Sequence, residues 1–405
     1  FIDYAERRFG VLSWLTALTE SRTRVSISLR TMTLCMFMLV SSRLGSLNAL
    51  EKCRYGRLWK RYGVADKLPS ADQLGRVAAM IPARDVRRQL KKVYYNLKRR
   101  KALHPASHDN LFALVVDGHE SSASYRRCCK DCLTRRINKD TPKERIQYYH
   151  RLVMGVLVCK RFTLLLDAEM QIKGEDEVCA AERLLARLLT DYPKAFDLVV
   201  ADGLYARASF FKTVRAAGKH VIAVLKDEGR ELARDVLGLC KGMAPRDLTC
   251  GTTKRQVWDI EQLNSWSQVG MPVRVVRSLE TTTVKRQNGG TLDTQTTQWM
   301  WVTTIPSSRL CAEQLIDVGH GRWSIENNAF NELVTYWHAD HVYKHDAKAI
   351  LIFWLMTMLA YNLFHAFYFF NVKPPLRDQL DKYRVAAYMT AELLTYDVAP
   401  QLRSP

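Results

Sequence analysis

The sequence predicts an α/β fold: a mixed sheet with flanking helices, a β-rich insertion before the last helices, and a helical N-terminal domain. Three observations carry this reading. Residues 106–228 alternate short apolar runs with amphipathic stretches in the order β-β-β-α-β-α-β, the pattern of a helix-covered mixed sheet. Residues 1–105 instead space their apolar residues as helices do. Residues 229–305 are rich in Thr, Val, Trp and Gln, and read as strands. The chain has 405 residues, enough for two or three domains. Its apolar share of 47% and charged share of 25% exclude disordered, collagen-like and low-complexity classes.

In the N-terminal part, Leu12, Leu15 and Leu18, then Leu29, Met32 and Leu34 through Leu39, mark helices. Ser70-Ala-Asp-Gln73 fits a capping box, and Pro82 suits the first turn of the next helix. In that helix Val86, Leu90, Val93 and Leu97 form a buried stripe. Arg84, Arg87, Arg88, Lys91, Lys92, Lys98 and Arg99 cover much of the remainder. Two helices joined by a short turn, the second basic, are consistent with a helix-turn-helix-like DNA reader.

The next segment supplies the sheet. Leu111–Val116, Tyr149–Cys159, Phe162–Ala168, Phe196–Val200 and His220–Leu225 are expected as strands. Helices are expected over Gly174–Leu189, with acids in its first turn, and over Ala206–Ala217. In the insertion, Val273–Arg277 and Gln298–Thr304 read as strands, and Asn288-Gly289-Gly290 as a hairpin turn. Helices return at Cys311–Val318 and Trp323–Tyr336, in a second part of the sheet domain spanning 306–372, and residues 373–405 form a tail. Ala349–Phe370 has 22 residues without a formal charge, long enough to span a bilayer. Asn362 and His365 inside it, and the lack of a second such segment, favour the central helix of a core and no membrane.

Lys and Arg number 61 against 41 Asp and Glu, a net charge of +20. Residues 1–101 hold 22 basic and 7 acidic residues, so +15 of that excess lies in the first quarter. Such localisation points to a polyanion partner, against the alternative of a merely solvated basic face. The opening Phe-Ile-Asp-Tyr-Ala-Glu-Arg-Arg lacks the features of a secretory leader, and the missing initiator Met suggests a fragment or a trimmed chain. Most of the ten cysteines lie within apolar runs (Cys35, Cys159, Cys179) and read as reduced, buried thiols of a cytoplasmic protein.

Asp117 and Asp202 each follow an apolar strand, LFALVV and FDLVVA, and each precedes a glycine. Strand ends line the rim where α/β folds place their sites. Two adjacent carboxylates repel unless a cation lies between them, and hard oxygen donors select Mg²⁺ or Mn²⁺. Glu326, in GRWSIENNAF, lies four residues after Arg322, on the same face of a predicted helix.

VVDGHE at 115–120, VVADGLYA at 199–206 and GRWSIENNAFNEL at 321–333 together resemble the DDE transposases of bacterial insertion sequences. The resemblance covers about residues 108–370, and is closest to the branch with a β-strand insertion between the second Asp and the Glu; here 124 positions separate Asp202 from Glu326. It implies an RNase H-like catalytic domain of the retroviral integrase superfamily, with Asp117, Asp202 and Glu326 holding two Mg²⁺ ions. It implies DNA cleavage and strand transfer by phosphoryl transfer without a protein nucleophile, on terminal inverted repeats and target double-stranded DNA. A homodimer on paired ends, in the bacterial cytoplasm at the nucleoid, is implied too. The branch signature Tyr-x2-Arg-x3-Glu-x6-Lys is met at Arg322 and Glu326, whereas Gly319 and Leu333 occupy the Tyr and Lys positions. His320, Lys344 and Lys348 are candidate substitutes. DNA phosphate contacts are expected from Arg322, Arg87, Arg88, Lys91, Lys92 and Arg99. The alternatives are an RNase H-like nuclease that cuts without joining, and a DNA-binding derivative that has lost its chemistry.

Two further constellations remain. Cys128, Cys129 and Cys132, with His119 upstream and His150 downstream, contain one C-x-x-C; a structural zinc usually needs two such pairs, so reduced cysteines are the expectation. His338 and His341, three apart, could bind metal but are expected to pack and hydrogen-bond below the active site. Trp258, Trp266, Trp299 and Trp301 are expected as β-core rather than as a platform for a flipped base.

Overall fold

Helix-period spacing produces helices throughout the N-terminal part of the computed structural model, which describes residues 1–53, 59, 61–64, 68–106, 110–226, 228–285, 292–325 and 329–394. α1 (Ile2–Phe9) and α2 (Val11–Thr16) meet at Gly10, whose φ of 65° ends one helix and starts the other. α3 (Leu29–Ser41) opens at Ser28, whose hydroxyl accepts from the Thr31 N–H, and every residue from Thr31 to Ser41 is buried. α4 (Leu47–Lys52) is short. α5 (Ala71–Ala78) begins with the expected capping box between Ser70 and Gln73. α6 (Ala83–Arg99) buries Val86, Leu90, Val93 and Leu97 as its stripe predicts. Pro82 is its N-cap rather than a first-turn residue, its fixed φ setting the entry angle.

The sheet follows. β1 (Ala113–Ser124) pairs antiparallel with β3 (Arg145–Leu157) and parallel with β5 (Leu198–Ala201). β6 (His220–Val224) extends the parallel set beyond β5. β3 is long enough to hold two partners on its other edge: β2 (Leu133–Ile137) beside Arg145–Tyr149 and β4 (Leu164–Met170) beside Leu152–Leu157. α7 (Glu177–Asp191) and α8 (Ala208–Ala216) are the two connecting helices. This is the mixed α/β sheet that an RNase H-like domain requires.

Two strands differ from expectation. β1 runs on to Ser124, past the expected end at Val116, because β3 supplies backbone partners for its polar second half. β2, Leu-Thr-Arg-Arg-Ile, has too few apolar residues to announce itself; its Arg135 is held by both oxygens of Glu120 at 2.7 and 2.8 Å.

The β-rich region begins with α9 (Glu231–Gly242) and contains β7 (Arg246–Cys250), β8 (Thr253–Leu263), β9 (Val273–Lys285) and β10 (Leu292–Thr303). It continues the same sheet, since β10 pairs antiparallel with the open edge of β6 and the others follow in the order β9, β8, β7. The turn read at Asn288-Gly289-Gly290 lies outside the described residues.

α10 (Ala312–Ile325) is one helix across the break expected between Val318 and Trp323, so Arg322 stands in its last turn. α11 (Asn331–Trp337) ends at His338, which takes the left-handed conformation, φ 53°. α12 (Ala347–Phe370) is the apolar helix, capped by the Asp346 carboxylate. Among the described residues it alone is long and apolar enough to cross a membrane, yet it is buried in the protein between β4, α3 and α6. Its polar residues are accounted for. Asn362 accepts from the Leu165 N–H at 2.9 Å and donates to the Leu165 carbonyl at 2.7 Å, filling the free edge of β4. His365 Nδ1 bonds the Tyr361 carbonyl. The N-terminal helices therefore share one apolar core with the sheet. The tail is helical too: α13 (Pro374–Gln379) leads to α14 (Lys382–Leu394), whose Thr390 hydroxyl donates to the Ser42 carbonyl.

Candidate active site at the ends of the parallel strands

The parallel register places Val116 beside Ala201, so the next residues, Asp117 and Asp202, are neighbours. Asp117 stands mid-strand rather than at a strand end, at the point where the parallel pairing with β5 stops. Asp202 starts the short 3-10 turn Gly203–Tyr205. From α10, Arg322 reaches both: its Nη1 is 2.8 Å from Asp117 Oδ2, and its Nη2 is 3.8 Å from Asp202 Oδ1. Lys226, just past β6, lies 2.9 Å from Asp202. Burial alone would raise the Asp202 carboxyl; the Lys226 ammonium, the Gly203 N–H and the Arg322 guanidinium outweigh it and hold the group below the usual range. Asp202 is thus an anion at neutral pH.

Another carboxylate, expected only as a helix-dipole complement, lies against the neighbouring residue of β1, Gly118. Glu177, in the first turn of α7, takes a hydrogen bond from Tyr205 Oη at 2.7 Å and one from Arg151 Nη1 at 3.1 Å. Burial first, and then Glu177, push the Tyr205 phenol well above its ordinary value, so it stays a donor. The carboxylate fits because residue 118 is glycine: a Cβ there would lie 2.3 Å from Glu177 Cδ. The Asp-Gly pair therefore makes room for a side chain rather than for a tight turn. The signal in the sequence was the acidic start of an amphipathic helix, which looks the same when it only complements a dipole.

Glu326 lies outside the described residues. The two signature departures have a packing cause. A Cβ at Gly319 would meet the Trp301 indole at 2.4 Å, and Leu333 is fully buried. His320 lies between Trp299 and Trp301 with Nε2 2.9 Å from Glu280 Oε1, whereas Lys344 and Lys348 are exposed. Trp301 and Trp258 are buried in the sheet's core; Trp299 stacks on Trp301, and Trp266 packs on Phe211.

The basic face of α6 divides. Arg87 is turned onto β4, 2.8 Å from Asp167 and 3.3 Å from Glu169, and Lys91 pairs with Asp191 at 2.7 Å. These two residues dock the helix on the sheet domain instead of standing free. Arg88, Lys92 and Arg99 are exposed. Of the Cys and His candidates, Cys128 is exposed and His119 is taken by Asp340 at 2.6 Å. Cys179, expected buried, is exposed, because it faces outward in the first turn of α7. His338 lies against Gly45 and His341 against Tyr343, and neither joins a metal-ligating cluster among the described residues.

A family model described as the transposase DDE domain matches residues 115–363. The chain belongs to the DDE transposase family. No curated protein matches it significantly. Membership makes this chain a transposase-type, DNA-processing protein of a family that generally uses divalent metals. Two carboxylates that share one guanidinium form a hard-oxygen donor set, which suits such an ion.

Proposed function

We propose that the chain is the transposase of an insertion sequence, cleaving DNA at the element's ends and transferring the freed strand to target DNA. The observation that carries this reading is the convergence of Asp117, Asp202 and Arg322 at the ends of the parallel strands. Asp117, Asp202 and Glu326 are assigned as the residues that hold Mg²⁺ or Mn²⁺. When bound, the divalent pair supplies a Lewis acid and an activated water for phosphodiester displacement.

The chain's own residues do the positioning. Asp117 is fixed by three constraints: the β3 ladder, the Gly118 N–H on its Oδ1 at 2.9 Å, and Arg322 on its Oδ2. Asp202 is kept ionised by Lys226 and Arg322. Arg322 is only 5% exposed, so it acts chiefly to orient the carboxylates. Exposed Arg88, Lys92 and Arg99 on α6 supply sequence-independent phosphate contacts. A homodimer holding two ends belongs to this proposal as well.

The test is incubation of purified protein with DNA flanking its gene and Mg²⁺, beside an Asp202→Ala control, with nicks and joined products mapped on sequencing gels. Cuts at an inverted repeat followed by joined products, both lost in the control, support the proposal. Cuts without joining would replace it with a nuclease. Salt-sensitive binding to the repeat without cuts would replace it with a decayed derivative.

A further inference from the structure

Four ligand atoms converge outside the carboxylate site. Cys129 and Cys132 lie in the connection from β1 to β2, His150 in β3, and His345 two residues before α12. Cys129 Sγ is 3.6 Å from Cys132 Sγ and 3.3 Å from His150 Nε2. Cys132 Sγ is 3.4 Å from His150 Nε2 and 3.2 Å from His345 Nε2. All four atoms lie within 4.8 Å of one another, and Cys132 and His150 are buried.

The spacing can be compared with an ion at the centre. Tetrahedral Zn²⁺ with bonds of about 2.3 Å to sulfur and about 2.0–2.1 Å to nitrogen has S–S edges near ~3.8 Å and S–N edges near ~3.5 Å. The four short contacts fall within a few tenths of an ångström of these edges. Hydrogen bonds between thiols and imidazoles can account for single contacts, through whichever tautomer is present, but they do not require all four ligand atoms to converge on one centre. A disulfide does not either: it needs sulfurs about 2.05 Å apart and gives the imidazoles no partner. Backbone N–H groups also face both sulfurs: the Asp131 N–H donates to Cys129 Sγ, and the Cys129 N–H to Cys132 Sγ at 3.2 Å.

We propose that Cys129, Cys132, His150 and His345 bind a structural Zn²⁺ ion. The Cys₂His₂ set selects zinc by ligand type and closes all four positions, so the ion is structural rather than catalytic. It joins three parts of the chain: the basic β1–β2 connection and the middle of β3, which strand pairing already sets side by side, and the segment from α11 into α12, which pairs with neither strand. The same segment is held a second time by the Asp340–His119 contact, two residues along β1 from Asp117. Zinc therefore fixes the chain that follows Glu326 against the strand that carries Asp117. This inference does not depend on the strand-transfer chemistry proposed above.

The experiment is elemental analysis of full-length protein purified without chelator, with cobalt exchange as an independent readout. One zinc per chain is expected. Cobalt should give the intense visible d–d bands of a tetrahedral site and a near-ultraviolet thiolate charge-transfer band. Cys132→Ser and His345→Ala should lower bound zinc at least tenfold, and Cys128→Ser should leave it unchanged. If the two ligand variants fail to fold, the cobalt spectrum of the wild-type protein still decides. Folded wild-type protein without zinc and without the cobalt bands would overturn the proposal. So would zinc retained by both ligand variants, zinc lost from Cys128→Ser, or a Cys129–Cys132 disulfide found in reduced-handled protein.

Discussion

Gly319 and Gly321 lie two residues apart in α10, and Gly→Ala at the two should affect stability differently. In a helix interior Ala is favoured over Gly by about 1 kcal/mol at either position. At Gly321 a Cβ meets nothing within 4 Å, so Gly321→Ala should stabilise by up to about 1 kcal/mol. At Gly319 it would stand 2.4, 2.7 and 2.9 Å from three atoms of the Trp301 indole. That indole cannot swing aside, because Trp301 is 1% exposed, stacked on Trp299 and set edge-on to His320. Overpacking of this kind costs about 1–3 kcal/mol, as much as the propensity gain or more. The backbone term is common to both variants, so their difference, about 1–3 kcal/mol with Gly319→Ala the less stable, isolates the collision. Urea and thermal unfolding of the two variants and the wild type, at one protein concentration, measure it. Equal stabilisation of both would refute the close approach of α10 to β10, and with it the explanation for the missing signature tyrosine.

Other substitutions test other links. Arg87→Ala should destabilise by roughly 2–3 kcal/mol, less than the ~3–5 kcal/mol of a broken buried pair because Arg187 still holds Asp167; denaturant unfolding reads it. Arg88→Ala, at a side chain 76% exposed, should change stability by under about 0.5 kcal/mol and lower the salt slope of DNA binding by about 1. Gly118→Ala should displace Glu177 from its place against Gly118, and metal-dependent cleavage should fall, while Gly238→Ala, in open space and without a positive φ, leaves cleavage unchanged. His365 is buried, and that burial, only partly offset by Glu332, lowers its imidazole to about 4. It is neutral in the fold and protonates near ~6.5 when unfolded. Its contribution is therefore complete above about pH 6.5 and is lost as pH falls toward about 4, up to about 3 kcal/mol. His365→Gln should flatten unfolding stability across that window.

The local periodicities were legible in the sequence because they depend only on neighbouring residues. The α6 stripe, the Ser70–Gln73 capping box and the apolar runs of β1, β5 and β6 are cases where side-chain spacing dictates the element. The nearness of Asp117 and Asp202 has a related cause: each follows an apolar run, and the parallel pairing of those runs aligns their ends, although β1 continues past Asp117. Elements held by distant partners were not. β2 and the polar half of β1 are strands because β3 satisfies their backbone groups, and nothing in Leu-Thr-Arg-Arg-Ile announces that partner. The β-rich region reads as an insertion, yet it completes the main sheet, because the open edge of β6 accepts β10. Charge misleads in the same way: Arg87 and Arg88 are adjacent and alike in sequence, and only the docking of α6 on β4 turns one inward to Asp167 and leaves the other in solvent. The C-x-x-C was visible but read as reduced cysteines, because His345 stands 213 residues from Cys132 and joins it only through the tertiary fold. Spacing along the chain determines which face a residue takes, and the packing of elements far apart in sequence determines what that face meets.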